Sequence, residues 1–425
     1  MATPLFLAKL LIRTGVARFL PGVRRMTDGG SAFLRFYNDR LLTVRPKELA
    51  EAAALLEAPG PDAIDLSMGA PRFDLVPSTT TKLPADRRGW PPPWGLPELR
   101  AAVAEKLLAD HRLATNPDDE VLITHGAAGA FSLAVDTFLN PGDRVVLFDP
   151  TSPLYAVAVR HRGARVRWVD TWVEDGRIRF RTDQFKNAMH RARMIVVNSP
   201  SNPTGGIFTP EDLEQIAWWA DRRDTLIFSD EVFERYQYEG DPLSIGTLDK
   251  ARARTLTVGS VSKGHALAAA RVGWLTGHRH LVRPCLLTAV LQGAFVPTLC
   301  QQVALTALRQ DNEAFRPIWS EYESRRRYAF ERLRALGLKP AWPAGAFFLW
   351  VPVWELGVSG SAFAERLLRE KKVLLTPGGP FGPSGAAYVR LSYATEDGRL
   401  REALSRMAEF LRGSVEPAAV EKWAA

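Results

Sequence analysis

The chain has 425 residues, which at roughly 100–200 residues per domain suggests two or three domains or one large α/β unit. Hydrophobic residues at 46% and charged residues at 24% exclude disorder as the main state, and two isolated cysteines, Cys285 and Cys300, exclude a disulfide framework or a zinc site. Half of the net charge of +8 lies in residues 1–60, with nine Lys/Arg against five Asp/Glu, and no basic block with interleaved aromatics follows, so no nucleic-acid partner is expected.

Pro4 to Arg18 is rich in Leu, Ile and Phe, but Lys9 and Arg13 leave the run short of the roughly 20 apolar residues that span a bilayer. Its first basic residue falls inside the apolar run rather than before it, unlike a secretory signal. The stretch reads as a basic amphipathic helix packed on protein, with a helix lying on a membrane surface the less favoured alternative. The cysteine usage suits a reducing, cytoplasmic compartment. Residues 30–60 are helical in pattern and are expected to pack with the C-terminal part of the chain.

From Val121 to Gly277 short β-branched runs alternate with helical patterns. Val121–Thr124, Val145–Phe148, Val166–Val169, Met194–Val197, Leu226–Phe228, Leu256–Val258 and Val272–Leu275 read as strands. Thr209-Pro210-Glu211-Asp212 opens a helix with an N-cap, a proline at the first helical position and early acids. The alternation implies a mostly parallel sheet flanked by helices, with ligands at the carboxyl ends of its strands. A long helix over 311–336 links this unit to a smaller α+β one containing strands at Phe347–Val351 and Tyr388–Ser392 and helices near 361–370 and 397–411. Within the linking helix, Arg325-Arg326-Arg327 lies among Glu321, Glu323 and Glu331 and reads as a solvated charged face.

Three segments carry chemistry. Asn198-Ser-Pro-Ser-Asn-Pro-Thr-Gly-Gly206 follows a buried strand, and its Pro- and Gly-dense turn aims Asn202 from a rigid base. Ser229-Asp230-Glu231 sets a carboxylate at a strand end. Ser260-Val-Ser-Lys263 follows the next strand, with Arg271 eight residues on. A lysine whose amine is made neutral by burial or a neighbouring cation can form a Schiff base with a carbonyl cofactor.

Together, and in this order, these segments resemble the class I/II aminotransferases of the fold-type I pyridoxal-phosphate enzymes, over about 85% of the chain from Ile64 onward. The resemblance implies an α/β fold with a large domain, its central sheet mostly parallel and flanked by helices, and a smaller α+β domain. The expected division is an arm over 1–30, the first part of the small domain over 31–65, the large cofactor-binding domain over 66–305, and the rest of the small domain over 306–425. It implies pyridoxal 5'-phosphate as cofactor, no metal, amino acid and 2-oxo acid substrates, and a homodimer whose active sites borrow residues from the partner subunit.

Residue by residue, the resemblance makes Lys263 the Schiff-base lysine and proton shuttle, and Asp230 the partner of the pyridine nitrogen. Asn202 matches the donor to the phenolic oxygen and also lies beside the substrate. Ser260, Ser262 and Arg271 match phosphate ligands, with backbone N–H groups of Gly126-Ala127-Ala128 at a helix start. Arg390 matches the bidentate clamp on the substrate α-carboxylate, and Gly69 a close approach of backbone to substrate.

The chain also departs from the family. Phe233 stands where Tyr usually supports the phenolic oxygen, so the imine formed at Lys263 is expected to hold its proton to higher pH. Ser152 replaces a stacking aromatic, while Tyr155, three residues on, is placed to hydrogen-bond near Asp230. Ala128 replaces a phosphate-binding side chain, and Ala269 stands where Gly is frequent. Trp90 stands where Tyr commonly reaches the partner's phosphate, and with Trp94 it suggests a bulky apolar substrate or else core and subunit packing. Aminotransfer is the first reading. A pyridoxal-phosphate lyase, decarboxylase or oxidase is the alternative; a non-catalytic DNA-binding regulator of the same fold is less favoured, because residues 1–60 lack a winged-helix pattern.

Overall fold

Buried β-branched runs ending in polar residues set up the molecule's main crevice. The computed structural model describes residues 62–71, 73, 89–310 and 312–414. The expected N-terminal arm, the apolar run from Pro4 and the helical stretch over 30–60 lie outside the described residues. Strand β1 (Ile64–Asp65) precedes an eight-stranded sheet of β2 (Val121–Thr124), β3 (Arg144–Asp149), β4 (Arg165–Glu174), β5 (Arg177–Phe180), β6 (Ala192–Asn198), β7 (Leu226–Asp230), β8 (Thr255–Ser260) and β9 (Gly273–Gly277). Their order is β2-β9-β8-β7-β6-β3-β4-β5.

The pairs β3–β4, β3–β6, β6–β7 and β7–β8 are parallel, so the centre of the sheet is as expected. Both edges are antiparallel: β9 opposes β2 and β8, and β5 opposes β4. Strand β5 is absent from the sequence reading, although Asp175-Gly176, both at positive φ, carries the usual two-residue hairpin signal. Strands β3, β6, β7 and β8 end in Asp149, Asn198, Asp230 and Ser260, which lines their carboxyl ends with polar side chains.

Helices α1 (Pro97–His111), α2 (Gly126–Phe138), α3 (Pro153–His161), α4 (Pro210–Arg223), the one-turn α5 (Val261–Gly264), α6 (Arg279–Leu291) and α7 (Thr298–Leu308) flank the sheet. The expected start of α4 is a reciprocal capping box between Thr209 and Asp212. The linking helix is α8 (Asn312–Ala335), followed by β10 (Phe348–Pro352), α9 (Gly360–Lys371), β11 (Val373–Leu374), β12 (Thr376–Pro377), β13 (Tyr388–Ser392) and α10 (Asp397–Ser414). Strand β13 lies between β10 and β12, and β1 pairs in parallel with β11. Phe347, Phe348, Leu349, Leu391, Tyr393, Leu404 and Met407 belong to the core of this second unit.

The arginine triplet on α8 corrects the sequence reading. Three consecutive helical residues span about 200° of the helix circumference, so they do not share one solvated face. Arg325 and Arg326 are buried, and only Arg327 projects into water. The Arg326 guanidinium is 4.4 Å from both the Tyr238 and Trp342 rings and donates to the Pro343 carbonyl at 2.8 Å.

Candidate active site

Strand β8 delivers Ser260 to the crevice, and its Oγ accepts the Ser262 N–H at 3.3 Å to start α5, which carries Lys263. Lys263 Nζ donates to the Gly69 carbonyl. Removal from water, then the Arg390 and Arg271 cations, lower its ammonium to about 8, against the opposing pull of Asp230. At the end of β7, Asp230 Oδ2 accepts the Tyr155 hydroxyl at 2.5 Å and Oδ1 accepts the Val232 N–H at 3.1 Å. Burial pushes this carboxyl above its ordinary range, with Tyr155, Val232 and Lys263 opposing. Tyr155, wholly buried and edge-on to Phe131, is held firmly protonated and therefore remains a donor.

Arg390 reaches the same crevice from β13. It donates through Nη1 to Asn202 Oδ1 at 2.8 Å and through Nη2 to the Ser67 carbonyl at 2.6 Å and Thr376 Oγ1 at 3.3 Å. Phe348 and Phe381 flank the guanidinium at 4.3 and 5.0 Å. Burial lowers it to about 9, with Asp65 opposing. No carboxylate is ion-paired with Arg390 among the described residues, so the fork is not spent on a structural salt bridge. Ser67, Thr376, Phe348 and Phe381 were not singled out in the sequence; the β12–β13 register sets Thr376 against Arg390, and the β10–β13 register puts Phe348 diagonally beside it.

A third corner is built for an anion. Helix α2 begins at Gly126 (φ +68), and a Cβ there would lie 2.9 Å from Arg271 Nη2. A Cβ on Gly273 would meet the Gly126 carbonyl carbon at 2.7 Å. The two glycines thus let the Arg271 guanidinium and the α2 N-terminus come together. The N-cap residue of α2, His125, makes no side-chain capping bond, leaving the N–H groups that open this helix, over Gly126, Ala127 and Ala128, for an anion. Among the described residues, Arg271 donates to the Ala268 and His125 carbonyls alone, at 3.3 and 3.4 Å. Buried Ser260 and Ser262 follow on the neighbouring strand and helix.

The remaining predicted residues are placed less centrally. Ser152 is the half-buried N-cap of α3 and makes no side-chain capping bond. Trp90 stands 90% exposed on this chain. Phe233 is buried edge-on against Phe347 and Phe348 at 5.3 and 5.5 Å and brings no hydroxyl.

Residues 61–407 match the family described as aminotransferase class I and II. The chain belongs to that family. It is 33% identical over 383 residues to an aspartate aminotransferase of Pyrococcus abyssi, covering 88% of this chain and 98% of that one. An aromatic-amino-acid aminotransferase of Thermococcus litoralis is 33% identical over 384 residues with the same coverage. Among solved structures, Thermus thermophilus aspartate aminotransferase with maleate aligns at a TM-score of 0.77 and 31% identity over 88% of this chain and 99% of that one. The fold is therefore fold-type I, and the protein is a pyridoxal-phosphate-dependent aminotransferase. The residues present fit that cofactor: an anion corner without a carboxylate, a lysine amine lowered toward neutrality, and a buried carboxyl whose charge calls for a cationic partner.

Proposed function

We propose that this aminotransferase moves an amino group from an α-amino acid to a 2-oxo acid, with Lys263 as the reacting amine and Arg390 as the carboxylate clamp. One observation carries this reading. Lys263 Nζ and Arg390 Nη2 donate to carbonyls only two residues apart on one segment, Gly69 and Ser67. Two residues of extended chain span about 7 Å, so the amine and the fork are spaced for one amino acid. When bound, pyridoxal phosphate supplies a carbonyl that condenses with amines and a protonated ring that withdraws electrons.

The chain's own residues do the rest. Arg271, Ser260, Ser262 and the N-terminus of α2 bind the phosphate. Asp230, held in place by Tyr155, keeps the ring nitrogen protonated. Asn202 spends Oδ1 on Arg390 and keeps Nδ2 for the phenolic oxygen. Lys263 Nζ takes and returns the proton at the substrate Cα. The aspartate and aromatic relatives make those two side-chain classes the first donors to examine.

A homodimer is part of the same proposal. Leu287, Val290 and Leu291 on α6 are exposed together, and Trp90 is exposed as well, which suits a surface covered by a second copy. The large and small domains divide near residue 305, and the free thiols of Cys285 and Cys300 suit a reducing cytoplasmic compartment.

The test is the absorption spectrum of purified protein before and after aspartate and aromatic donors, with Lys263→Ala as control. A visible band that is absent in the variant and bleaches with a donor while 2-oxo acid appears supports aminotransfer. Release of ammonia, carbon dioxide or peroxide instead would assign the site to a lyase, decarboxylase or oxidase, and a wild-type protein that takes up no cofactor would overturn the reading.

A further inference from the structure

Asn198, the last residue of β6, lies directly opposite Asp230 in the β6–β7 register and is buried. Its Nδ2 donates to the Asp230 carbonyl at 3.1 Å, and its Oδ1 accepts the Asn202 N–H at 2.9 Å. Asn202 in turn holds Arg390, and Asp230 holds Tyr155. One carboxamide therefore closes a chain from the C-terminal sheet to the end of β7. We propose that Asn198 is a positioning residue that fixes Asn202 relative to Asp230, and through Asn202 fixes the Arg390 fork. The inference rests on the roles assigned above to Asn202, Asp230 and Arg390.

The chemistry of the position is restrictive. The side chain must be short, must donate on one side and must accept on the other. Aspartate offers both only while protonated; once ionised it still accepts from Asn202 but repels the Asp230 carbonyl. Alanine offers neither. Among the described residues, the ionisable and charged groups tied to this chain of bonds are Asp230 and Tyr155 at one end and Arg390 at the other, with Lys263 on α5 coupled to Asp230 and Arg390.

The experiment compares holoenzyme of wild type, Asn198→Ala and Asn198→Asp. Three quantities are read: the pH midpoint of the cofactor's visible absorption change, KM and kcat for one amino acid donor, and the melting temperature. Asn198→Ala is expected to raise KM about tenfold with a smaller change in kcat, because Arg390 loses its fixed partner. Its absorption midpoint is expected to rise, because Asn202 Nδ2 no longer sits squarely on the phenolic oxygen. Asn198→Asp is expected to match wild type at acidic pH and to move toward, without reaching, the alanine variant's KM as its own carboxyl ionises and is repelled by the Asp230 carbonyl. Where Asn198→Ala fails to fold, the aspartate variant alone decides, since its low-pH form is the conservative rescue. A drop in melting temperature with KM and absorption midpoint unchanged overturns the inference, leaving Asn198 a purely structural residue. No cofactor band in the wild type overturns the underlying reading; a normal wild-type band with unaltered variants overturns this inference alone.

Discussion

Arg390 Nη1 meets Asn202 Oδ1 at 2.8 Å, joining the C-terminal sheet to the loop that follows β6. The two residues are 188 positions apart, yet each orients the other. The guanidinium is held by Asn202 on one nitrogen and Ser67 on the other, with the Phe348 and Phe381 rings 4.3 and 5.0 Å away. That arrangement pre-organises a fork for a carboxylate, which a flexible cation would not do.

Replacing the fork by a point charge tests this. Arg390→Lys keeps the cation but cannot reach Asn202 and Ser67 together. The expected loss is about 100-fold in kcat/KM, carried mainly by KM. Steady-state kinetics with an α-amino acid and with the matching amine, which lacks the carboxylate, give the check. The variant should narrow the gap between the two substrates. An undiminished gap would place the carboxylate elsewhere.

Cofactor capture by the apoenzyme should follow the Lys263 amine. Only the neutral amine attacks a carbonyl, and removal from water together with Arg390 and Arg271 sets its midpoint at about 8 rather than the ordinary 10.5. The rate of capture of pyridoxal phosphate should therefore rise with pH and level off above about 8. Removing one of the cations, as in Arg390→Ala, should shift that midpoint upward, because the ammonium then loses a repulsive neighbour. Stopped-flow absorption across pH 6–11 reads both curves; a midpoint near 10.5 in the wild type would contradict the placement.

Much of this site was legible because its residues sit at strand ends. Asn202, Asp230 and Lys263 follow three buried runs in order, so local pattern alone puts them in one crevice. Arg390 was recognisable only from its short strand and the family's order. The surroundings of Arg390 were not legible: Ser67 reaches it from 323 residues away and Thr376 from 14 residues away through the β12–β13 pairing, and no local pattern encodes such a register. The buried Arg325 and Arg326 were misread for a related reason. A charge run looks solvated until its helix is packed, and the aromatic slot of Tyr238 and Trp342 is assembled from distant parts of the chain.

Phe233 offers a gain-of-contact prediction. The resemblance implies that a tyrosine here would donate to the phenolic oxygen and favour the deprotonated imine. Phe233→Tyr should lower the pH midpoint of the holoenzyme's visible absorption change, by about one unit if the new hydrogen bond is charge-assisted. The ring already lies edge-on to Phe347 and Phe348, and the substitution keeps that ring while adding one oxygen. Spectrophotometric titration of the two holoenzymes is sufficient, and an unmoved or raised midpoint would show that the hydroxyl does not reach the cofactor.

The last prediction concerns stability rather than turnover. His111, at the end of α1, contacts Glu234 through Nε2, and Lys106 Nζ meets the same carboxylate at 2.5 Å. Burial alone would lower the imidazole, but Glu234 outweighs it and raises His111 to about 9, with Glu231 adding and Lys106 opposing. Burial likewise works against the Glu234 charge, yet Lys106 and His111 hold that carboxyl well below its ordinary range. A histidine whose folded value lies above its ordinary 6.5 contributes stability that is complete below pH 6.5 and is lost as pH rises through about 9. The amount is on the order of 3 kcal/mol for a shift of this size. The holoenzyme's melting temperature should therefore fall between pH 6.5 and 9, and His111→Gln, which keeps a donor for Glu234 but cannot titrate, should flatten that fall. The nitrogen at Lys263 titrates alike in wild-type and His111→Gln holoenzyme, so the difference between their curves reports His111. Parallel melting curves for wild type and variant across this window would show that the His111–Glu234 pair is not the source of the pH dependence.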